Sequence, residues 1–183
     1  ALLAQIPIKQ AIYSAAPEGY ALPPLTPQHI CQAGQHWQWD KVDFTMLSPV
    51  LGEHYDKDNN RSCVLRVSGT GFSLLLTGDM ETPAEKILLA SAQNQQLASQ
   101  ILVSGHHGSK TSTSPEFLAA VKPQLAIVSA GYKNQFGHPS LPVIQRLQAS
   151  HIAIDNTIQQ GTLIYRLSST SSLQKEVWRE RGH

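Results

Sequence analysis

Short apolar runs recur along the chain, each closed by glycine, serine, proline or a charged residue. They fall at Gln10–Tyr13, Phe44–Leu47, Cys63–Val67, Ser73–Thr77, Ile101–Val103, Leu125–Ser129, Ile152–Ile154 and Thr162–Leu167. Runs this short predict strands rather than helices, and their near-continuous apolar character predicts sheets that are covered. Val67 and Phe72 are joined by "SGTG", which fits a hairpin. Three stretches read instead as helices. "TPAEKILLASAQ" places Thr82 as N-cap, Pro83 at the first helical position and Glu85 three residues after the cap, which predicts a capping box. "SPEFLAAVKP" repeats the logic with Ser114 and Pro115 and stops at Pro123, and "LPVIQRLQAS" follows "FGHPS". Strands alternating with helices define a layered α/β domain.

Between these elements, residues 16–27 hold Pro17, Pro23, Pro24 and Pro27 and read as a loop. Ser168 to Ser172 reads as a solvated linker, with residues 169–183 as a polar C-terminal tail.

Composition narrows the class without choosing a function. Hydrophobic residues make up 41% and charged residues 15%, which fits a globular core and excludes a disordered segment. The formal charge of +1 removes the simple argument that a basic protein binds nucleic acid, so any polyanion must meet a local patch. No apolar run approaches the roughly 18 residues that span a bilayer. Cys31 and Cys63 are too few for a disulfide scaffold and lack the spacing of a zinc site; two buried thiols are the first expectation and a single bridge the alternative, which leaves the redox compartment open. The chain opens on "ALLAQIPIKQ" without Met and reads as cut from something longer.

Candidate chemistry gathers where strands end. Asp79 closes the apolar run "FSLLLTGD", at a position where α/β sheets deliver side chains to a site. His106 and His107 close a second run between Gly105 and Gly108. Adjacent strand residues point to opposite faces, so only one of the two histidines is expected to aim at a given metal. One capped helix separates the two strand ends, a βαβ arrangement that brings carboxylate and imidazole together, and this donor pair suits zinc, manganese or iron. Asp58, Asn59 and Asn60 precede another strand, where an Asx turn is the plain reading. Ser109 to Ser114, with Lys110 and Ser112 among them, offers hydroxyls, amides and a cation near a helix start, a plausible phosphate cradle. Asn134 and His138 sit in a loop pinned by Gly137 and Pro139.

Taken together, "NNRSCVLRV", "LLLTGD", "ILVSGHHGSKTSTSPEFL" and "AIVSAGYKNQFGHPS" closely resemble the C-terminal metallo-β-lactamase-like domain of the ComEC family, the inner-membrane channel proteins of natural competence. The resemblance covers roughly residues 1–168 and implies part of an αββα sandwich with a metal centre at one edge. It makes Asp79 the carboxylate bridging two metals, His106 the late histidine ligand, and Asn59 a weak neutral ligand where related enzymes carry histidine. His107, Ser109, Lys110, Ser112, Asn134 and His138 match positions that face substrate. The superfamily's HxHxDH motif is absent, since no His-x-His occurs in the chain. The resemblance therefore implies a domain lacking its N-terminal part: two divalent metals (Zn or Mn) in the intact domain, none or weakly held ones here, and an inactive fragment.

For the intact domain, the resemblance implies a metal-dependent nuclease that degrades the DNA strand not transported during uptake. A non-catalytic DNA-guiding module, or a hydrolase of another small phosphate or lactone, are the alternatives. The implied partners are DNA, single-stranded or duplex, and the membrane channel portion of the same parent protein. A second copy covering a sheet face left open is a further expected partner. The implied location is the bacterial inner membrane, with this domain on the periplasmic or outer side.

Overall fold

The computed structural model describes residues 9–14, 27–167 and 173–178. Its centre is a seven-stranded mixed sheet built from β3 (His36–Trp39), β4 (Val42–Ser48), β5 (Val64–Gly69), β6 (Phe72–Leu76), β7 (Ile101–Val103), β8 (Leu125–Val128) and β9 (Ala153–Asn156), adjacent in that order. The first four pair antiparallel, β3 to β4 and β5 to β6 through short turns and β4 to β5 through the long connection between Ser48 and Val64, and β6 to β9 run parallel. Parallel neighbours need crossovers. Helices α1 (Thr82–Ala90), α2 (Pro115–Val121) and α3 (Leu141–Ala149) supply them. The short β1 (Ala11–Tyr13) and β2 (Gln28–Ile30) form a parallel pair. Beyond β9, α4 (Thr157–Gln160) leads to β10 (Thr162–Leu167). The α/β class expected from the alternation is the one observed.

The two faces of the large sheet differ. Leu75, Leu102 and Ala126 lie side by side in the ladder and are fully buried beneath Ala84 and Leu88 of α1, Phe117 and Val121 of α2, and Val143 and Leu147 of α3. On the opposite face, one register row runs Trp37, Phe44, Val67, Leu74, Ile101 and Leu125, and the next runs Met46, Leu65, Leu76, Val103 and Ile127. None of these belongs to the core under the helices, and apart from Met46 and Ile101 they are only half-buried. The αββα layering implied by the resemblance is present here as its helix layer and one large sheet.

Several expectations are corrected. Cys31 and Cys63 are joined in a disulfide with Cα atoms 5.8 Å apart, not held as free thiols. Backbone hydrogen bonds from Ala33 to Pro49 (2.7 Å) and Gly34 to Met46 (2.9 Å) fold the chain after β2 onto β4, and Ser48 pairs with Val64, so the two cysteines are delivered to one place. The capping box does not form. Glu81 takes the N-cap position of α1, the Thr82 hydroxyl donates to the Thr111 carbonyl at 2.8 Å, and Glu85 turns away from its own helix. Buried Glu85 instead accepts from the Thr113 and Ser114 amides that open α2. Burial raises its carboxyl, the Ser114 and Thr113 hydrogen bonds and Arg146 pull it back, and the net direction is upward from its ordinary value. The Asx-turn reading of residues 58–60 gives way to a 3₁₀ turn, Asp58–Arg61. Within the stretch read as a polar tail, β11 (Leu173–Trp178) pairs antiparallel with β10. The proline-rich loop lies outside the described residues, apart from Pro27.

Candidate functional site

Because β6, β7 and β8 are parallel, their C-terminal ends share one edge, and antiparallel β5 brings its N-terminal end there too. Four segments meet at that edge: the turn Asp58–Arg61 before β5, residues 77–81 after β6, residues 104–114 after β7, and residues 129–140 after β8. The crossing is close. The His106 amide donates to the Gly78 carbonyl at 3.0 Å, the Asp79 amide to Ser62 Oγ at 3.0 Å, and the Glu81 amide to Asn60 Oδ1 at 3.1 Å. At Gly105 a Cβ would stand 2.7 Å from the Met80 carbonyl oxygen, so only glycine admits this approach.

His106 (φ 47°, ψ 46°) and His107 (φ 56°, ψ 24°) are both left-handed, so they do not alternate as on a strand. This conformation is uncommon outside glycine, and it sends the two rings to different partners. His107 Nδ1 donates to the Ser129 carbonyl at 2.7 Å and its Nε2 lies 3.5 Å from Asp79 Oδ1. His106 Nε2 lies 3.5 Å from Asn59 Nδ2, while its buried Nδ1 is 3.2 Å from Glu81 Oε1, too poorly directed for a hydrogen bond. The ring of His138 meets that of His106 edge-on, with centroids 5.7 Å apart.

Sequence reasoning placed Asp79 and His106 together; the structure sets His107 beside Asp79 and gives His106 to Asn59 and Glu81. Glu81 was missed. It is 5% exposed, and it holds Lys57 Nζ at 3.0 Å and the Thr111 hydroxyl at 2.9 Å. Burial raises its carboxyl, but the hydrogen bonds from Lys57 and Thr111 and the charges of Lys57 and His106 outweigh it and bring the net below the ordinary value. Its place two residues after Asp79 was the available signal, but burial under His106 is not legible in one sequence. His138 is lowered by burial and then by the charges of His106 and His107.

The other expected substrate contacts divide. Lys110 and His107 are exposed. Ser109 is buried and shares its hydroxyl with Thr111 Oγ1 at 3.0 Å. Ser112 is fully buried and donates to the Gly105 and Ser109 carbonyls at 2.6 and 3.0 Å, so its hydroxyl builds the loop instead of facing a substrate. Asn134 likewise holds its own loop, donating to the Gly131 and His138 carbonyls at 3.0 and 2.7 Å and accepting from the His138 amide at 2.9 Å.

A divalent metal is the group the family resemblance implies at this edge. Among the described residues, no three His, Cys, Asp or Glu side chains are grouped to hold one ion. Protein metal centres take about three or four protein ligands. The pairs Asp79–His107 and Asn59–His106 offer fewer, so the described residues do not by themselves fit a metal centre.

Fold and edge together define a layered α/β domain with a histidine–carboxylate cluster at the ends of its parallel strands. Comparison with known proteins gives the family. The chain is 43% identical over 156 residues to "Competence protein ComA" of Neisseria gonorrhoeae, matching 85% of this chain and 21% of that protein. It is 35% identical over 158 residues to "ComE operon protein 3" of Bacillus subtilis, 86% of this chain and 19% of that protein. It is 39% identical over 133 residues to "Recombination protein 2" of Haemophilus influenzae, 72% of this chain and 16% of that protein. The chain belongs to the ComEC family of competence proteins, and its matches span about a fifth of the length of these relatives. No protein-family model matches it. Among solved structures, a putative Zn-dependent hydrolase of the metallo-β-lactamase superfamily from Thermotoga maritima aligns with TM-score 0.38 and 14% identity, covering 77% of this chain and 68% of that one.

Proposed function

We propose that this chain is a DNA-handling domain of a competence protein, and that the full-length protein hydrolyses phosphodiester bonds in the strand that is not taken up. The observation that carries this is the convergence of Asp79, His106, His107, His138 and Asn59 from four separate segments on one sheet edge. In this reading exposed Lys110 and His107 meet phosphate oxygens, His138 completes that rim, and Asp79 with His107 marks the reacting side. Hydrolysis calls for more ligands than the described residues hold, so the cutting activity belongs to the full-length protein and this chain alone is inert.

Among the described residues, no helix is long and apolar enough to cross a membrane. The reading places the domain beside the membrane channel portion of the same protein, on the periplasmic or outer side of the inner membrane. The Cys31–Cys63 bridge supports that side, since disulfides persist in oxidising compartments. The half-buried apolar rows on the open sheet face are where a second copy would lie.

The test uses this chain and the full-length gene product, each assayed for bound zinc and manganese and for cleavage of labelled single-stranded and duplex DNA. Metal binding and cleavage by the full-length protein alone, both lost in Asp79→Ala, are the expected result. A second reading, a guide that binds DNA without cutting, is favoured by the lack of three grouped ligands among the described residues. Salt-dependent DNA binding by the full-length protein that survives chelation, with no cleavage, would establish it instead.

A further inference from the structure

Resting on the DNA reading, we propose that the loop of residues 129–140 is a stacking platform for the unpaired bases of single-stranded DNA, with Phe136 as its outer step. Four rings run from solvent into the site. Phe136 stacks on His138 with centroids 5.8 Å apart and planes 21° apart, His138 meets His106 at 5.7 Å, and His106 meets His107 at 6.4 Å. The outermost ring is 70% exposed, and Tyr132 on the same loop is 68% exposed, so neither contributes much to the protein's own core. Lys133 Nζ lies 5.4 Å from the centre of the Tyr132 ring.

The exposure is built in, because the loop beneath these rings is tied down. Asn134 clamps it through the Gly131 and His138 carbonyls and the His138 amide, and the Ser140 amide donates to the Gly108 carbonyl at 2.9 Å. Charge agrees with a polyanion. Residues 129–140 carry Lys133 and no carboxylate, and residues 104–114 carry Lys110 and no carboxylate. Three acidic side chains stand at this edge on the other two segments: Asp79 beside His107, exposed Asp58 on the 3₁₀ turn, and buried Glu81, which is paired with Lys57.

Aromatic rings beside cations suit nucleic acid, since every base offers a π-face and every linkage a phosphate. A duplex hides its base faces within the stack, so only an unpaired strand uses the rings. A base resting on Phe136 sets the neighbouring phosphate toward His138 and His106. The platform thereby favours single strands and sets which linkage reaches the Asp79 side of the site.

The test is fluorescence anisotropy of this chain with three dye-labelled probes at one salt concentration: oligo(dT), an abasic oligonucleotide of equal length, and a duplex. Expected is at least about fivefold tighter binding of oligo(dT) than of the other two, lost in Phe136→Ala and kept in Phe136→Trp. Unchanged thermal stability of Phe136→Ala is the folding control. Equal affinity for the abasic probe, or a preference that survives Phe136→Ala, overturns the platform and leaves the DNA reading standing. Failure to bind any of the three probes overturns the DNA reading, and the platform with it.

Discussion

Glu81 Oε1 lies 3.2 Å from His106 Nδ1 and sits beneath the site, its side chain 6% exposed and the imidazole 26% exposed. Glu81 thus ties two neighbouring segments to its own: its carboxylate takes Lys57 Nζ ahead of the 3₁₀ turn and the Thr111 hydroxyl and His106 of the loop after β7, and its amide donates to Asn60 Oδ1.

Replacing Glu81 by Ala leaves the Thr111 hydroxyl and His106 without their anion. Hydrogen bonds to a charged group are worth about 1.5–3 kcal/mol, and the exposure of Lys57 discounts its share. The expected loss is about 1–3 kcal/mol in urea unfolding, with Glu81→Gln recovering part of it. No change in the midpoint would remove Glu81 from its structural role.

Asp79 behaves oppositely. Its carboxylate is 46% exposed and 3.5 Å from His107, so Asp79→Asn is expected to shift stability by less than about 0.5 kcal/mol. In the full-length protein the same change is expected to abolish DNA cleavage. Thermal melts and a gel assay on one preparation separate the two effects.

The disulfide closes a loop with a sequence separation of 32 residues. The chain-entropy account assigns a loop of this size about 3–4 kcal/mol. Reduction, or the Cys31→Ser/Cys63→Ser double variant, is expected to lower unfolding stability by about 2–4 kcal/mol. Mass analysis after alkylation of the unreduced, denatured protein should find no modified thiol.

Asp155, at the end of β9, receives hydrogen bonds from Tyr165, Lys175 and Gln160, which fastens the β10–β11 hairpin to the sheet. Burial raises its carboxyl, but these partners, Lys175 foremost, bring the net below the ordinary 3.8. A depressed carboxylate contributes stability that is present above its unfolded value and lost as pH falls through the folded one. Asp155→Asn is therefore expected to be less stable than the parent by about 1–2 kcal/mol at pH 7, with the gap closing below about pH 3.8. Thermal midpoints across pH 2.5–7 measure it; a gap constant with pH would contradict the pairing.

Gly105→Ala forces a Cβ against the Met80 carbonyl, which is backbone and cannot step aside. Overpacking of this kind costs about 1–3 kcal/mol. The expected outcome is a lower melting temperature together with altered amide signals for His106 and Asp79, since this close approach lies beside the bond from the His106 amide to the Gly78 carbonyl that joins the β6 and β7 loops.

The apolar runs Ile101–Val103 and Leu125–Val128 became the strands they predict because a sheet's demand on side chains is local. The arrival of Asp79 and the His106–His107 pair at one edge was legible for a related reason: a helix between two parallel strands returns the chain to the same side. Strands β3 and β11 were not legible, since "HWQW" and "LQKEVW" mix polar and apolar residues at the margins of their sheets. What the tertiary structure alone decided depends on residues distant in sequence. Left-handed backbone at both histidines gave Asp79 to His107 and His106 to Glu81. Glu85 left its own capping box because α2 offered two amides without acceptors in a buried place. Cys31 met Cys63 because β4 folds the chain after β2 onto the start of β5. Periodicity and turn chemistry act over a few residues and can be read along the chain. The partner of a buried charge or thiol is chosen by which segments pack together, and the physical cause of that choice lies in the whole fold.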